Sequence, residues 1–90
     1  MNTVARRVVV HGEVQGVFFR ETTRRRARRA AVAGWVRNND DGTVEAWFEG
    51  EPDDVEVLVH FVGIGPSGAH VSRVDVDEVE PEELRDFEVR

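Results

Sequence analysis

Hydrophobic and polar positions along this chain change their period from segment to segment, and glycine or proline marks most of the changes. Residues 4–11, VARRVVVH, are rich in valine and stop at Gly12, the pattern of a strand buried on at least one face. From about Arg20 to Ala33 strong helix formers dominate, and Thr23, Ala27, Ala30 and Gly34 fall at i, i+4, i+7 and i+11. That spacing predicts a helix with small residues toward the core and arginines toward water. GWVRNN and TVEAWFEG read as two strands joined at Asp41-Gly42, a tight-turn pair between alternating segments. Trp35 and Trp47 fall on either side of that turn, where the surrounding apolar periodicity assigns them to the core rather than to a ligand.

Residues 53–62 fit two periods, since Val55, Leu58, Val59 and Val62 have helical spacing while Val55, Val57 and Val59 alternate. The flanks decide for helix: Pro52-Asp53-Asp54 supplies an acidic first turn and GIGP at 63–66 a stop. AHVSRVDVDEV from Ala69 alternates imperfectly as a strand, and LRDFEVR closes with a short one. The order strand, helix, strand, strand, helix, strand predicts an α+β, ferredoxin-like βαββαβ sandwich. Its antiparallel sheet carries two helices on one face and a short C-terminal strand is added. No linker interrupts residues 1–90, so a single domain is expected.

Composition narrows the class. Ninety residues make about one domain, able to bury roughly 60 to 65% of the surface exposed by the unfolded chain. The absence of cysteine excludes a disulfide framework, a thiol nucleophile and a zinc-thiolate cluster. No apolar run approaches the roughly 18 residues of a membrane span, and the N-terminus lacks a signal-like apolar segment. A soluble, cytoplasmic, monomeric protein with no membrane partner is expected. Charge is unevenly distributed: residues 1–37 hold nine arginines against Glu13 and Glu21, and residues 38–90 hold three arginines against sixteen carboxylates, for a net −6. Every basic residue is arginine. Such an acidic surface suits high salt, where about 1 M ions shorten the Debye length to about 3 Å, although drift in an acidic protein gives the same composition.

Between the first strand and the first helix lies GEVQGVFFR, residues 12–20, which is Gly12, Glu13, Val14, Gln15, Gly16, Val17, Phe18, Phe19 and Arg20. Its glycines permit positive φ, so the intervening amides can curl toward one point and bind an anion. Arg20 stands where the first helix begins, and the unpaired amides and dipole there also favour negative charge. Its planar guanidinium matches two oxygens of a phosphate or carboxylate. Val14, Val17 and Phe19 are expected to pack beneath the loop. Alone, two glycines and an arginine usually mark a turn, and the Gly-Lys-Ser/Thr ending of a nucleotide P-loop is absent. His11, His60 and His70 lack metal-ligand spacing, so no metal site is expected. RRRARR at 24–29 raises a nucleic-acid-binding module as the alternative, against which stand the acidic total and the reading of these arginines as a solvated helix.

GEVQGVFFR followed after a helix-length gap by GWVRN at 34–38 resembles the paired signature of the acylphosphatase family. The similarity runs on through DGTVEAWFEG, the Gly-Pro after the second helix with AHVSRV behind it, and FEVR at the end. The resemblance implies hydrolysis of an acyl phosphate, small or protein-borne, to a carboxylate and inorganic phosphate without a cofactor. On the matching positions Arg20 binds the phosphoryl group and Asn38 orients the attacking water. Asn39 is excluded by the same pattern, and strand alternation sends it to the other face. The chain departs from the family at Ala30-Ala31-Val32, where a leucine-glycine-leucine sequence is usual, and this change is expected to loosen the end of the first helix.

Overall fold

The computed structural model describes residues 2–90. The elements are β1 (Val4–Glu13), α1 (Phe19–Arg29), β2 (Ala33–Asn38), β3 (Val44–Gly50), α2 (Pro52–Ile64), β4 (His70–Val79) and β5 (Phe87–Val89). The sheet order is β4-β1-β3-β2-β5. β1 pairs antiparallel with both β3 and β4, and β2 pairs antiparallel with β3. Only β5 departs from this pattern, running parallel to β2 through Gly34–Phe87, Trp35–Glu88 and Val36–Val89. β1 and β2, which flank the first helix in sequence, are not paired with each other because β3 lies between them.

Alternation gives the sheet two different faces. Val8, Val10, Val36, Val44, Ala46 and Phe48 are all fully buried and meet the helices through Phe19, Ala27, Val55, Leu58 and Val62. The intervening residues Arg7, Trp35, Arg37, Glu45, Trp47 and Glu49 therefore take the opposite face. Trp35 is buried as expected, but on the side of the sheet away from the helices, where it and the partly exposed Trp47 are cross-strand partners with ring centroids 6.4 Å apart. Arg37 and Arg90 lie over the Trp35 ring at 5.0 and 5.1 Å, so stacking and guanidinium cover, not the helices, shield it. Gly34 lets β2 and β3 approach at this point, since a Cβ there would stand 1.7 Å from the Trp47 carbonyl oxygen.

Two further boundaries differ from the sequence reading. β1 continues through Gly12 and Glu13, which pair with Val71 and His70 after a register shift at His11. The first helix ends at Arg29 instead of Ala33. Its end is a Schellman closure in which the Val32 amide donates to the Ala27 carbonyl at 2.8 Å and the Ala31 amide to the Arg28 carbonyl at 3.2 Å. Val32 and Ala27 are both buried, supplying the apolar contact that accompanies this closure. Ala31 accordingly adopts φ 57, a left-handed conformation in which its Cβ is unfavourable. Ala31→Gly is expected to stabilise the protein by about 1 kcal/mol. In a chain of this size that corresponds to a melting temperature about 4–8 °C higher. An unchanged or lower melting temperature would refute the strain assigned to Ala31.

α2 matches its expected span. Pro52 opens it, Asp53 and Asp54 occupy the first turn, and Val55, Leu58, Phe61 and Val62 are buried. On the open face, Glu45 is only 3% exposed. It accepts from Arg7 Nε, from Arg37 Nη2 at 2.9 Å and from Asn39 Nδ2 at 3.2 Å. Burial alone raises its pKa, but the bonds from Arg37, Arg7 and Asn39 prevail and hold it below the ordinary carboxylate value. A depressed folded-state pKa contributes stability above the unfolded value, and that stability is lost as pH falls through the folded value. Glu45→Gln is expected to cost about 2 kcal/mol at neutral pH, between the exposed and buried limits for ion pairs. Denaturant midpoints of the two proteins should begin to draw together only as pH falls below the ordinary Glu value of about 4.3 and onward through the lower folded value, and a gap that stays constant throughout that descent would contradict this assignment.

Candidate active site

The loop between β1 and α1 is held from both sides. Val14 and Phe19 are buried and Val17 packs partly against the same core, as their sequence pattern requires. Gly16 takes φ 76, and Phe18 takes φ 58, ψ 24, directly before the first helical residue. These left-handed turns bend the chain sharply into the helix. The first bond of the helical ladder here runs from the Thr22 amide to the Phe18 carbonyl at 3.0 Å. Among the described residues the amides of Gln15 through Arg20 have no hydrogen-bond acceptor. A run of unpaired donors at a helix start is an anion-binding arrangement.

Gln15 fixes where this run lies. Its side-chain amide donates to the carbonyls of Asn39 at 2.8 Å and Thr43 at 3.0 Å, tying the loop to the β2–β3 hairpin. The hairpin is itself closed by Thr43, whose amide and hydroxyl both donate to Asp41 Oδ1 at 3.0 and 2.7 Å. Those two bonds, the hydroxyl's foremost, lower the Asp41 pKa and keep the turn carboxylate ionised. The sequence pattern marks Gln15 only as a member of the loop. Nothing local marks the bridge, because both carbonyls also accept within the hairpin, Thr43 from the Asn39 amide at 2.8 Å and Asn39 from the Gly42 amide at 3.2 Å.

Asn38 ends β2 on the same face as Val36, toward the helices, whereas Asn39 turns the other way and donates to Thr43 Oγ1 and Glu45. Asn38 and Arg20 line one cleft of about 580 Å³, together with Val14, Gly16, Phe18 and Phe19 from the loop. The rest of the lining comes from α1 and β5, through Glu21, Arg24, Arg28, Glu88 and Val89. Gly12 and Glu13 lie in β1, and neither they nor Gln15 and Val17 line the cleft.

Among the described residues, charge in the cleft is arranged around one arginine without a partner. Arg24 and Arg25 both pair with Glu21, and the Arg24 hydrogen bond in particular holds the Glu21 carboxyl below its usual pKa. Arg28 donates to the Phe87 carbonyl at 3.2 Å and approaches Asp86 at 3.4 Å. Arg26 lies 4.3 Å over the Phe61 ring. Arg20, half-buried at the second helical position, makes no hydrogen bond or ion pair among the described residues. The arginine-rich helix is thus largely engaged within the protein, which does not favour the nucleic-acid alternative. His11 meets Asp75 at 2.9 Å and Arg73 at 3.2 Å. No group of three metal-ligating side chains is found among the described residues. No helix among them is long and apolar enough to cross a membrane.

A family model described as Acylphosphatase matches residues 6–89. The chain is 53% identical over 83 residues to an acylphosphatase of Haloarcula marismortui, covering 92% of this chain and 91% of that one. It is 56% identical over 86 residues to an acylphosphatase of Rubrobacter xylanophilus, covering 93% and 77%. The solved structure of an acylphosphatase from Coxiella burnetii superposes with a TM-score of 0.94 at 42% identity, covering 99% of this chain and 94% of that one.

Proposed function

This chain belongs to the acylphosphatase family, and we propose that its cleft hydrolyses the carboxyl–phosphate bond of acyl phosphates, with Arg20 and Asn38 as the catalytic residues. The phosphoryl oxygens sit against the amides of residues 15–20 and the Arg20 guanidinium. Asn38 holds a water opposite the leaving carboxylate through its carbonyl acceptor and amide donor. Water oxygen bonds to phosphorus, the phosphorus–carboxyl oxygen bond breaks, and the water proton passes to a phosphoryl oxygen. The leaving group departs as a carboxylate, stable near neutral pH, so no general acid has to protonate it. What remains of the barrier is charge on the phosphoryl oxygens and the alignment of water, which fixed donors and positioning reduce. A neutral amide suits the second task, because a carboxylate in its position would repel the substrate.

The observation that supports this reading is that one cleft is lined by Arg20, by Gly16, Phe18 and Phe19, whose amides have no acceptor among the described residues, and by the uncharged amide side chain of Asn38. The reading includes residues 1–90 acting as one domain, a cytoplasmic monomer with a salt-tolerant acidic surface and no cofactor. The mainly exposed face of β4 and the excess of carboxylates support the surface assignment. The direct test is release of inorganic phosphate from acetyl phosphate by the purified protein with chelator present. Turnover well above the spontaneous rate is expected, and its absence would overturn the reading.

A further inference from the structure

The loop with Arg20 and the strand with Asn38 reach the cleft separately, and the sheet aligns them only up to Val44, which pairs with Val10 of β1 on one side and Asn38 of β2 on the other. Beyond that level the two segments part. β1 goes on pairing with β4 through Gly12–Val71 and Glu13–His70, toward the sheet edge away from β2. The loop that carries the unpaired amides and Arg20 thus leaves β1 without a backbone hydrogen bond to the β2–β3 hairpin. Gln15 spans this gap. Its side-chain amide nitrogen donates to the carbonyls of Asn39 at 2.8 Å and Thr43 at 3.0 Å, and among the described residues no other hydrogen bond joins residues 14–18 to residues 38–43.

Each of these carbonyls already accepts a hairpin amide, so Gln15 takes a second lone pair on each and the hairpin closes without it. The loop likewise has its own anchors in the buried Val14 and Phe19. What Gln15 adds is the spacing between two pieces that form independently. We propose that Gln15 is a positioning residue, holding the phosphoryl cradle and Asn38 at the separation that puts the attacking water in line with phosphorus. This rests on the acyl phosphate reading above. The competing role is direct contact with the substrate, but Gln15 does not line the cleft and its N–H donors are taken by the hairpin. Its effect on the reaction therefore passes through Asn38.

The test is a double-mutant cycle on kcat for acetyl phosphate, with inhibition by inorganic phosphate and the melting temperature measured on each protein. Gln15→Met keeps the length of the side chain and removes both donors. It is expected to lower kcat by about tenfold, the scale of one or two neutral hydrogen bonds that act on alignment, while phosphate inhibition stays within about twofold and the melting temperature falls by no more than about 4 °C. Gln15→Glu turns a carboxylate toward the two carbonyls and should lose at least as much. In the Asn38→Ala background, Gln15→Met should slow turnover by less than about twofold further, because the water it aligns is no longer held. A loss of turnover undiminished in that background, phosphate inhibition that weakens in parallel with kcat, or wild-type kcat in both Gln15 variants would overturn the proposal while leaving the acyl phosphate reading standing. Failure of wild type to hydrolyse acetyl phosphate would overturn both.

Discussion

Arg20→Ala is expected to lower kcat/KM for acetyl phosphate by at least about 10² to 10³, the scale for removing one oriented donor from a developing oxyanion. The physical basis is that Arg20 alone among the cleft arginines has no partner within the described protein, so its whole charge is available to the phosphoryl group. Both ground and transition states carry phosphoryl charge, so the loss should appear in KM and kcat together, and inhibition by inorganic phosphate should weaken in parallel. Arg20→Lys should recover only part of the activity, because an ammonium offers a point charge and not two parallel N–H donors. Steady-state kinetics on the three proteins check this. A loss below about tenfold for Arg20→Ala would remove the residue from the proposed role.

Asn38→Ala is expected to reduce kcat by about 10² to 10³ while leaving inhibition by inorganic phosphate nearly unchanged, because the amide acts on water and not on the bound anion. Asn38 contributes to the cleft lining without taking part in the hairpin network, which Asn39, Thr43 and Glu45 carry. The substitution should consequently leave stability within about 0.5 kcal/mol. Asn38→Asp should be no better than alanine, since its carboxylate repels the substrate. Should phosphate inhibition weaken as much as turnover falls, Asn38 would be a phosphate ligand and not the orienter of water.

The pattern of apolar positions carried most of the architecture, for reasons visible in particular residues. Val8 and Val10 against Val44 and Ala46 fix which strand faces are buried, and Pro52 with Asp53-Asp54 separates helix from strand where periodicity could not. Local chemistry also made Arg20 legible, since it follows two glycines into a helix start. The role of Asn38 came from resemblance, because one asparagine in a strand carries no chemical signature of its own. What stayed hidden depends on tertiary placement. Alternation shows that Trp35 and Trp47 share a face but not which face the helices cover, so the burial of Trp35 is legible and its place on the side away from the helices is not. The early end of α1 was masked by alanines, which favour helix but do not show that Ala31 turns left-handed to let the Val32 amide reach Ala27. The parallel docking of β5 on β2 joins residues about fifty positions apart, beyond any local signal. The Gln15 bridge and the Glu45 cluster likewise need the hairpin and β1 to be in place before their partners exist.

Acetyl phosphate hydrolysed in water enriched in oxygen-18 tests the chemistry most directly, because it reports which atom water attacks. Attack on a phosphorus atom held by Arg20 and the loop amides, with water steered by Asn38, places the heavy oxygen in inorganic phosphate and none in acetate. Recovery of the label in acetate would mean attack at the carbonyl carbon, and the geometry assigned to Arg20 and Asn38 would then be directed at the wrong bond.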